Sequence, residues 1–476
     1  MKNITTYILM LLLISCIKEE FNQINNITDN EELEFDYEIT RNHIRFNWRS
    51  NGYPSSNHAI SSIRDVSPAL IYEFNEQTYM INGGVTDDES GESIFSSQPS
   101  PLLKLIKDKD NIWSFSKVYT DIFTWTVRSH KFMGNSVALQ DGNEIGNNMT
   151  DWKGDIWFSN INSLGNLSWV KVNQDEYKGY MHGVGAGDIN GDGLVDLAGA
   201  PGYWNEKEKR WQMALFIQNT DESFSWAGDI FEYDSSVPFA VDLVDLTGDG
   251  KAEIIFGDYG AGDPSEDDDL NQIRVYKYDE TYQKFNLLFK SSQSDKLWNV
   301  GMGATQTRVY DFNNDGILDI TNWRDDNSGS GFDIFLGNTE GEYNPHFSNF
   351  FPIGTHSGSC EFEVFDANND GFLDILLVGN GDGSNFRINP YSSSDSNNGI
   401  ILNQLIWINN GDGTFNYPEN LNLEITQPDQ NFNFNPQYVI PYKYDDNLHF
   451  LALPKNINNN GDIISYNIYD IKVFLN

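Results

Sequence analysis

Four nine-residue segments of this chain place oxygen-bearing side chains at positions one, three, five and nine, with a glycine at six. They are DINGDGLVD (Asp188, Asn190, Asp192, Asp196), DLTGDGKAE (Asp245, Thr247, Asp249, Glu253), DFNNDGILD (Asp311, Asn313, Asp315, Asp319) and DANNDGFLD (Asp366, Asn368, Asp370, Asp374). Alternating oxygens in a tight loop suit a hard cation that takes six to eight oxygen ligands in flexible geometry, which is the chemistry of calcium. Position seven would add a backbone carbonyl, so its side chain is free to vary, and it runs Leu194, Lys251, Ile317 and Phe372. A metal-free Asn/Asp/Gly turn would draw on the same residue types, because they tolerate left-handed backbone. Four copies at matching spacing favour the metal, and four structural calcium ions are expected.

The elements that hold these loops are strands. An EF-hand loop opens in the same way but closes with a glutamate at position twelve, between helices. Position twelve here is Gly199, Phe256, Asn322 or Leu377, and the flanks are short apolar runs such as 252–256 and 372–378. Each loop therefore reads as a metal-filled turn in a β-hairpin. The loops begin at 188, 245, 311 and 366, a spacing that suits propeller blades. After each loop come an apolar strand, an Asn- or Asp-containing turn and an aromatic-rich strand: MALFIQN with SFSW, IRVYKYD with KFNLLFK, FDIFLGN with GEYNPHF, and LIWINNGDGTFNY.

The same pattern recurs without a metal loop at 101–106 with 112–115, at 155–158 with 167–170, and at 470–475. Short turns near Asn75-Glu76, Gly134-Asn135 and Asp445-Asp446-Asn447 stand in for the loop. Seven units give the expected fold: an all-β, seven-bladed β-propeller with calcium in the A–B hairpin loops of four blades. The last unit lacks a fourth strand. An N-terminal strand at about 43–49, with the alternation of His43–Trp48, is expected to supply it and close the ring, leaving no open edge.

The loops and the blade pattern resemble the FG-GAP/VCBS repeats of integrin α-subunit propellers and of many bacterial secreted proteins. Gly199-Ala200-Pro201 is a literal GAP tripeptide just after the first loop, and the resemblance covers residues 180 to 420. It implies a seven-bladed propeller with calcium in the hairpins of one rim. The family spans adhesion, carbohydrate chemistry and unassigned roles, so the fold does not fix the function.

Residues 1–15 read as a secretory signal: Lys2, then an apolar core from Tyr7 to Ile14 that is too short for a membrane span. Leu13-Ile14-Ser15-Cys16 resembles a bacterial lipobox, in which Cys16 would be lipidated and become the new N-terminus; several acyl chains on one residue give stable anchoring. Lys18-Glu19-Glu20 is similar to a short tag that sends some lipoproteins to the outer face of the outer membrane. Residues 16–40 read as an acidic tether and 41–476 as the propeller, so a surface-exposed outer-membrane lipoprotein is expected. With Cys16 committed to lipid, Cys360 is left alone and calcium must serve as the staple.

The formal net charge is −40. Each loop carries three carboxylates, so calcium would offset only a fraction of it. A surface this acidic argues against nucleic acid as a partner, and against direct docking on anionic lipid. The run at 263–269 (DPSEDDD) reads as a solvated insertion, with a fifth metal site as the weaker alternative.

Two functions from different classes remain. The first is a binding or adhesion module for an extracellular glycan, a glycoprotein or a subunit of a surface complex, with the ligand on the opposite rim or at the channel mouth. The second is a carbohydrate-active enzyme, a polysaccharide lyase or sugar dehydratase. Inner strands line a propeller channel, and His182, Arg308 and His356 fall on candidate inner strands, where histidine, arginine and a tyrosine could act as base, charge clamp and acid on a uronate. The HGVGAGDINGDG stretch also resembles a motif of propellers related to sugar dehydratases. No nucleophile motif or zinc-ligand spacing supports the enzyme, and the binding reading is preferred. Trp204, Trp211, Trp298 and Trp323 read first as propeller-core or blade-packing residues, with sugar stacking on one or two of them left open.

Overall fold

The computed structural model describes residues 35–40, 43–48, 70–74, 77–83, 100–107, 113–124, 127–141, 154–173, 180–205, 210–227, 238–258, 273–291, 303–326, 329–352, 362–380, 386–387, 400–425, 436–444, 446–454 and 466–475. Six four-stranded antiparallel sheets follow one another along the chain, each pairing its strands in sequence order. Blade 1 runs from Leu70–Phe74 to Trp113–Thr124, blade 2 from Val127–Met133 to Leu167–Lys171, and blade 3 from Tyr180–Gly187 to Phe224–Trp226. Blade 4 runs from Pro238–Val244 to Lys284–Lys290 and blade 5 from Gly303–Tyr310 to Tyr343–Pro352. Blade 6 joins Phe362–Phe365, Asp374–Leu377, Ile406–Asn409 and Phe415–Asn416. The first strands of blades 2, 3, 4 and 5 lie against one another in turn, which sets them around a common axis. The architecture is an all-β propeller.

The apolar runs follow from this stacking, because a strand sandwiched between two blades buries both of its faces. In blade 3, Leu197 packs with Ala138, Ile156 and Phe158 of blade 2, while its neighbour Ala198 packs with Val241, Ile254 and Phe256 of blade 4. Blade 4 repeats the arrangement: Ile254 faces blade 3, and Ile255 joins Val309, Ile320 and Phe335 of blade 5. The core is thus a series of layers between blades.

Near the axis the strands crowd, and blade 3 meets this with glycine. A Cβ on Gly183 would lie 3.0 Å from the backbone nitrogen of Val241, and one on Gly185 would lie 3.0 Å from backbone atoms of Asp242 and Leu243. The Gly-rich lead into the first loop is therefore a packing device between two inner strands.

The expected seven blades are corrected here. Six sheets are four-stranded blades, Phe386–Arg387 and Ile400–Ile401 form a short parallel pair, and the other strands form one seven-stranded sheet. Its order is Phe35–Thr40, His43–Trp48, Tyr466–Phe474, Asn447–Pro454, Pro436–Tyr444 and Gly379–Asn380, with Asn422–Ile425 also paired to Tyr466–Phe474. The physical reason lies in the last unit, which brings only three consecutive strands of its own. Segments from elsewhere in the chain add to both of its sides, so the product is a composite sheet. Within it, His43 to Phe46 pair antiparallel with Tyr469 to Tyr466. Among the described residues no helix is long and apolar enough to cross a membrane.

Candidate functional site

Each nine-residue loop connects the first and second strands of a blade, in blades 3 to 6. The loops share a backbone that their sequences dictate. Positions four and six are both left-handed: Gly191 and Gly193, Gly248 and Gly250, Asn314 and Gly316, Asn369 and Gly371, with φ between 56° and 90°. Only glycine and asparagine occupy position four, the types that adopt this conformation most readily.

Position one organises the turn. In the first loop Asp188 Oδ1 accepts from the amides of Gly191 (2.7 Å) and Asp192 (3.2 Å), and Oδ2 accepts from Gly193 (2.7 Å). Asp192 Oδ1 accepts from the Leu194 amide at 2.8 Å, and Asn190 donates to Asp192 Oδ2 at 3.0 Å. Position nine closes the hairpin: Asp196 Oδ2 accepts from Ile189 and Oδ1 from Gln218, both at 2.9 Å. Asp319 and Asp374 repeat this with Phe312 and Gly337, and with Ala367 and Asn409.

Asp196, Asp319 and Asp374 are fully buried, and no lysine, arginine or histidine pairs with them among the described residues. Burial, reinforced by the carboxylates at positions one and five, pushes Asp196 up to about 7 and the other two up to about 6. Among the described residues, no three His, Cys, Asp or Glu side chains converge into a metal-holding group. The oxygen set of a loop is nevertheless the one calcium uses, because an asparagine amide and a backbone carbonyl complete the carboxylates. Clustered carboxylates with no cationic side chain paired to them among the described residues make the first, third and fourth loops fit a divalent cation, although Lys443 binds the backbone and Asn369 of the fourth. In that role position nine would anchor the ion to the second strand while positions one, three and five fold over it.

The second loop does not fit. Lys277 Nζ lies 2.8 Å from Asp249 Oδ2 and 2.8 Å from Glu253 Oε1, and donates to Thr247 Oγ1 at 2.6 Å. Lys251, at position seven, pairs with Glu280.

Neighbouring loops are tied together around the rim. The Ala252 amide donates to Asp188 O at 2.6 Å, joining the second loop to the first. Asn314 donates to Gly371 O at 3.0 Å, joining the third to the fourth. Asn369 then donates to Asp446 O at 2.8 Å, and Lys443 donates to Asp366 O (2.8 Å) and Asn369 Oδ1 (2.9 Å), linking the fourth loop to the 444–447 turn.

Beside that turn opens a cavity of about 430 Å³ lined by Tyr72, Glu73, Glu363, Phe365, Pro441, Tyr442, Lys443 and Asp446. Asp446 lies in the turn of the last hairpin, and the other lining residues lie on the first strands of blades 1 and 6 and of that hairpin. The cavity therefore sits on the loop rim. Tyr442 donates to Asp470 Oδ2 at 2.8 Å and Tyr72 to Gly165 O at 3.1 Å, which fixes both rings.

Beyond Glu363 the inner strands carry charge. Lys131 of blade 2 pairs with the buried Asp242 of blade 4 at 2.9 Å. Arg308 of blade 5 donates to the carbonyl of His130 in blade 2 at 2.8 Å, and His130 Nε2 lies 3.7 Å from Glu363 Oε1. Burial, with Arg308 and Lys131 nearby, drives His130 down to about 3, so the ring is neutral. Burial pushes Glu363 up to about 7 against the opposing pull of Arg308, although 36% of its side chain stays open to the cavity.

Of the channel residues expected from sequence, Arg308 is buried on an inner strand. His182 falls at an irregularity of the first strand of blade 3, where the register shifts between Met181 and Gly183. His356, Cys16, Trp298 and the 263–269 run lie outside the described residues. Trp323 is wholly buried in the blade 5 and 6 core. Arg308 instead bonds the carbonyl of His130, whose ring approaches Glu363, and the sequence reading missed both residues. Their one signal is charge on a strand otherwise patterned for the channel wall.

A family model described as an FG-GAP-like repeat matches residues 188–256, which contain the first two loops and the hairpin arms between them. No curated protein matches the chain. Among solved structures, a GH43 protein, BlXynB of Bacillus licheniformis, is 10% identical, with 84% of this chain and 81% of that one covered and a TM-score of 0.32. An α-L-arabinofuranosidase, CtGH43 of Clostridium thermocellum, is 12% identical, covering 61% and 95%, also with a TM-score of 0.32. Likeness at that level carries no argument about the chemistry of this chain. The chain is thus an all-β propeller in which residues 188–256 match an FG-GAP-like repeat.

Proposed function

We propose that this propeller is a calcium-stiffened binding module whose ligand surface is the channel mouth on the loop rim. The observation that carries the reading is the cavity itself, bordered by the fourth loop through Lys443 and by the turn that Asn369 grips. Calcium in the loops would fix the hairpins that frame this mouth, so that little ordering is left to be done on binding.

The lining points to a ligand class. Tyr72, Tyr442 and Phe365 offer aromatic surface, while Glu73, Glu363 and Asp446 outnumber Lys443. Fixed rings with carboxylate acceptors suit a neutral or amino-bearing glycan, free or on a glycoprotein, better than a uronate. Pairing of His43–Trp48 with Tyr466–Phe474 would close the ring, a lipid at Cys16 would anchor the chain, and the 16–40 tether would lift it from an outer membrane.

A second reading draws on Glu363. A carboxyl poised near neutral pH at a cavity wall, with Arg308 and a neutral histidine behind it, has the character of a general acid. One screen separates the two: glycan-array binding and polysaccharide depolymerisation by the same protein, in calcium and in EDTA. Calcium-dependent binding of neutral or amino glycans without product supports the module. Product that vanishes with Glu363→Gln would replace it with the enzyme.

A further inference from the structure

The four loops differ at one cross-strand position. The third strand of each blade runs beside the second, pairing Leu197 with Phe216, Ile254 with Tyr276, Ile320 with Phe335 and Ile375 with Trp407. One step further sets the position-nine carboxylate opposite Ile217, Lys277, Leu336 and Ile408 in turn. Three of these are apolar, and the fourth carries an ammonium.

That ammonium reaches the centre of its loop. An ammonium has three N–H donors. The three nearest acceptors of Lys277 are Thr247, Asp249 and Glu253, at positions three, five and nine. These are the side-chain oxygens that a calcium ion would collect. Glu253 is completely buried and Lys277 only 26% exposed, so the pair is shielded from solvent.

Two further departures fall in the same loop and serve the same geometry. Thr247 replaces the asparagine found in the other three, and its hydroxyl also lies 3.1 Å from Glu253 Oε1. Glu253 replaces aspartate, and its extra methylene carries the carboxylate out to meet the amine while Oε2 still caps the Leu246 amide at 2.7 Å. Asp249 is held below the usual carboxylate range chiefly by its bond to Lys277.

We infer that Lys277 is a built-in cation for the second loop, so that the chain takes calcium at the loops beginning 188, 311 and 366 and not at 245. The inference rests on the calcium reading of the other loops. A tethered charge is present at any calcium concentration, so blade 4 holds its hairpin when the metal is withdrawn. A divalent ion entering that loop would have to expel an amine whose strand keeps it in place, and would meet Lys251 as well.

The test is a count of bound calcium per chain by equilibrium dialysis on the full chain, with site-by-site carboxamide variants. Asp192→Asn, Asp315→Asn and Asp370→Asn should each lose one ion, and Asp249→Asn should lose none. Loss of an ion with Asp249→Asn would overturn the inference and leave the calcium reading standing. No calcium bound by any form would remove the calcium reading itself. A second arm reads the staple without metal: in EDTA, Lys277→Ile should lower the melting temperature by several degrees, while Asp315→Asn should not. An unchanged melt for Lys277→Ile in EDTA would overturn the built-in cation whatever the count.

Discussion

The side-chain amide of Asn314, in the third loop, donates to the carbonyl of Gly371, in the fourth, at 3.0 Å. The bond crosses from one blade to the next at the level of the nine-residue loops. Whatever fixes one loop therefore also fixes its neighbour.

This bond can be removed without straining the turn. Asn314 has φ of 56°, so glycine keeps the backbone while deleting the amide. Asn314→Gly should cost about 0.5–1 kcal/mol, the net value of one hydrogen bond at an exposed site. It should also weaken calcium binding at the fourth loop, read by titration in an Asp315→Asn background. Simple additivity of Asn314→Gly and Asp370→Ala in a double-mutant cycle would show that the loops act independently.

Asp315→Ala and Asp370→Ala each remove a position-five carboxylate whose oxygen also holds the next amide, to Ile317 and Phe372. Both should lower the melting temperature in millimolar calcium by more than they do in EDTA, because a ligand that binds only the folded state stabilises by mass action. Equal losses in both buffers would mean that the carboxylates act through the turn alone.

Gly185 lies against the backbone of Asp242 and Leu243. Gly185→Ala pushes a methyl into that contact, where the neighbour is main chain and cannot swing away. A destabilisation of about 1–3 kcal/mol is expected from overpacking, measurable by urea unfolding. A neutral result would mean that blades 3 and 4 separate more easily at the axis than their packing implies.

Glu363 sets a pH window. Its ordinary value is 4.5 and its folded value is about 7, so the folded state keeps a proton that the unfolded chain releases between those limits. Across that window the group makes stability fall as pH rises, and above about 7 its penalty is constant. Exposure to the cavity screens part of the effect. Glu363→Gln should therefore gain in melting temperature relative to the unmodified chain as pH goes from 4.5 to 7. Parallel pH profiles for the two would place Glu363 in an ordinary solvated setting.

Much of this architecture was legible in sequence because it is local. The loops announce themselves through nine consecutive residues, and the hairpin arms through apolar runs that must bury both faces. The alternation of glycine and asparagine at Gly191, Gly248, Asn314 and Asn369 is as regular as the carboxylates and marks the same backbone. What was not legible depends on register and closure. Lys277 is 24 residues beyond Glu253, and only strand pairing brings its amine into the loop. Arg308 meets the carbonyl of His130 across 178 residues of chain. The last unit was counted as a blade because its strands alternate correctly, yet its edges recruit Asn422–Ile425 and Gly379–Asn380, short segments that carry no blade signal.

The account turns on calcium holding the loop rim, and thermal unfolding of the protein in calcium and in EDTA tests that most directly. It predicts a melting temperature that rises with calcium, saturates in the sub-millimolar to millimolar range expected of extracellular sites at about 0.1–1 mM, and falls back on chelation. Superimposable melts with and without calcium would contradict it.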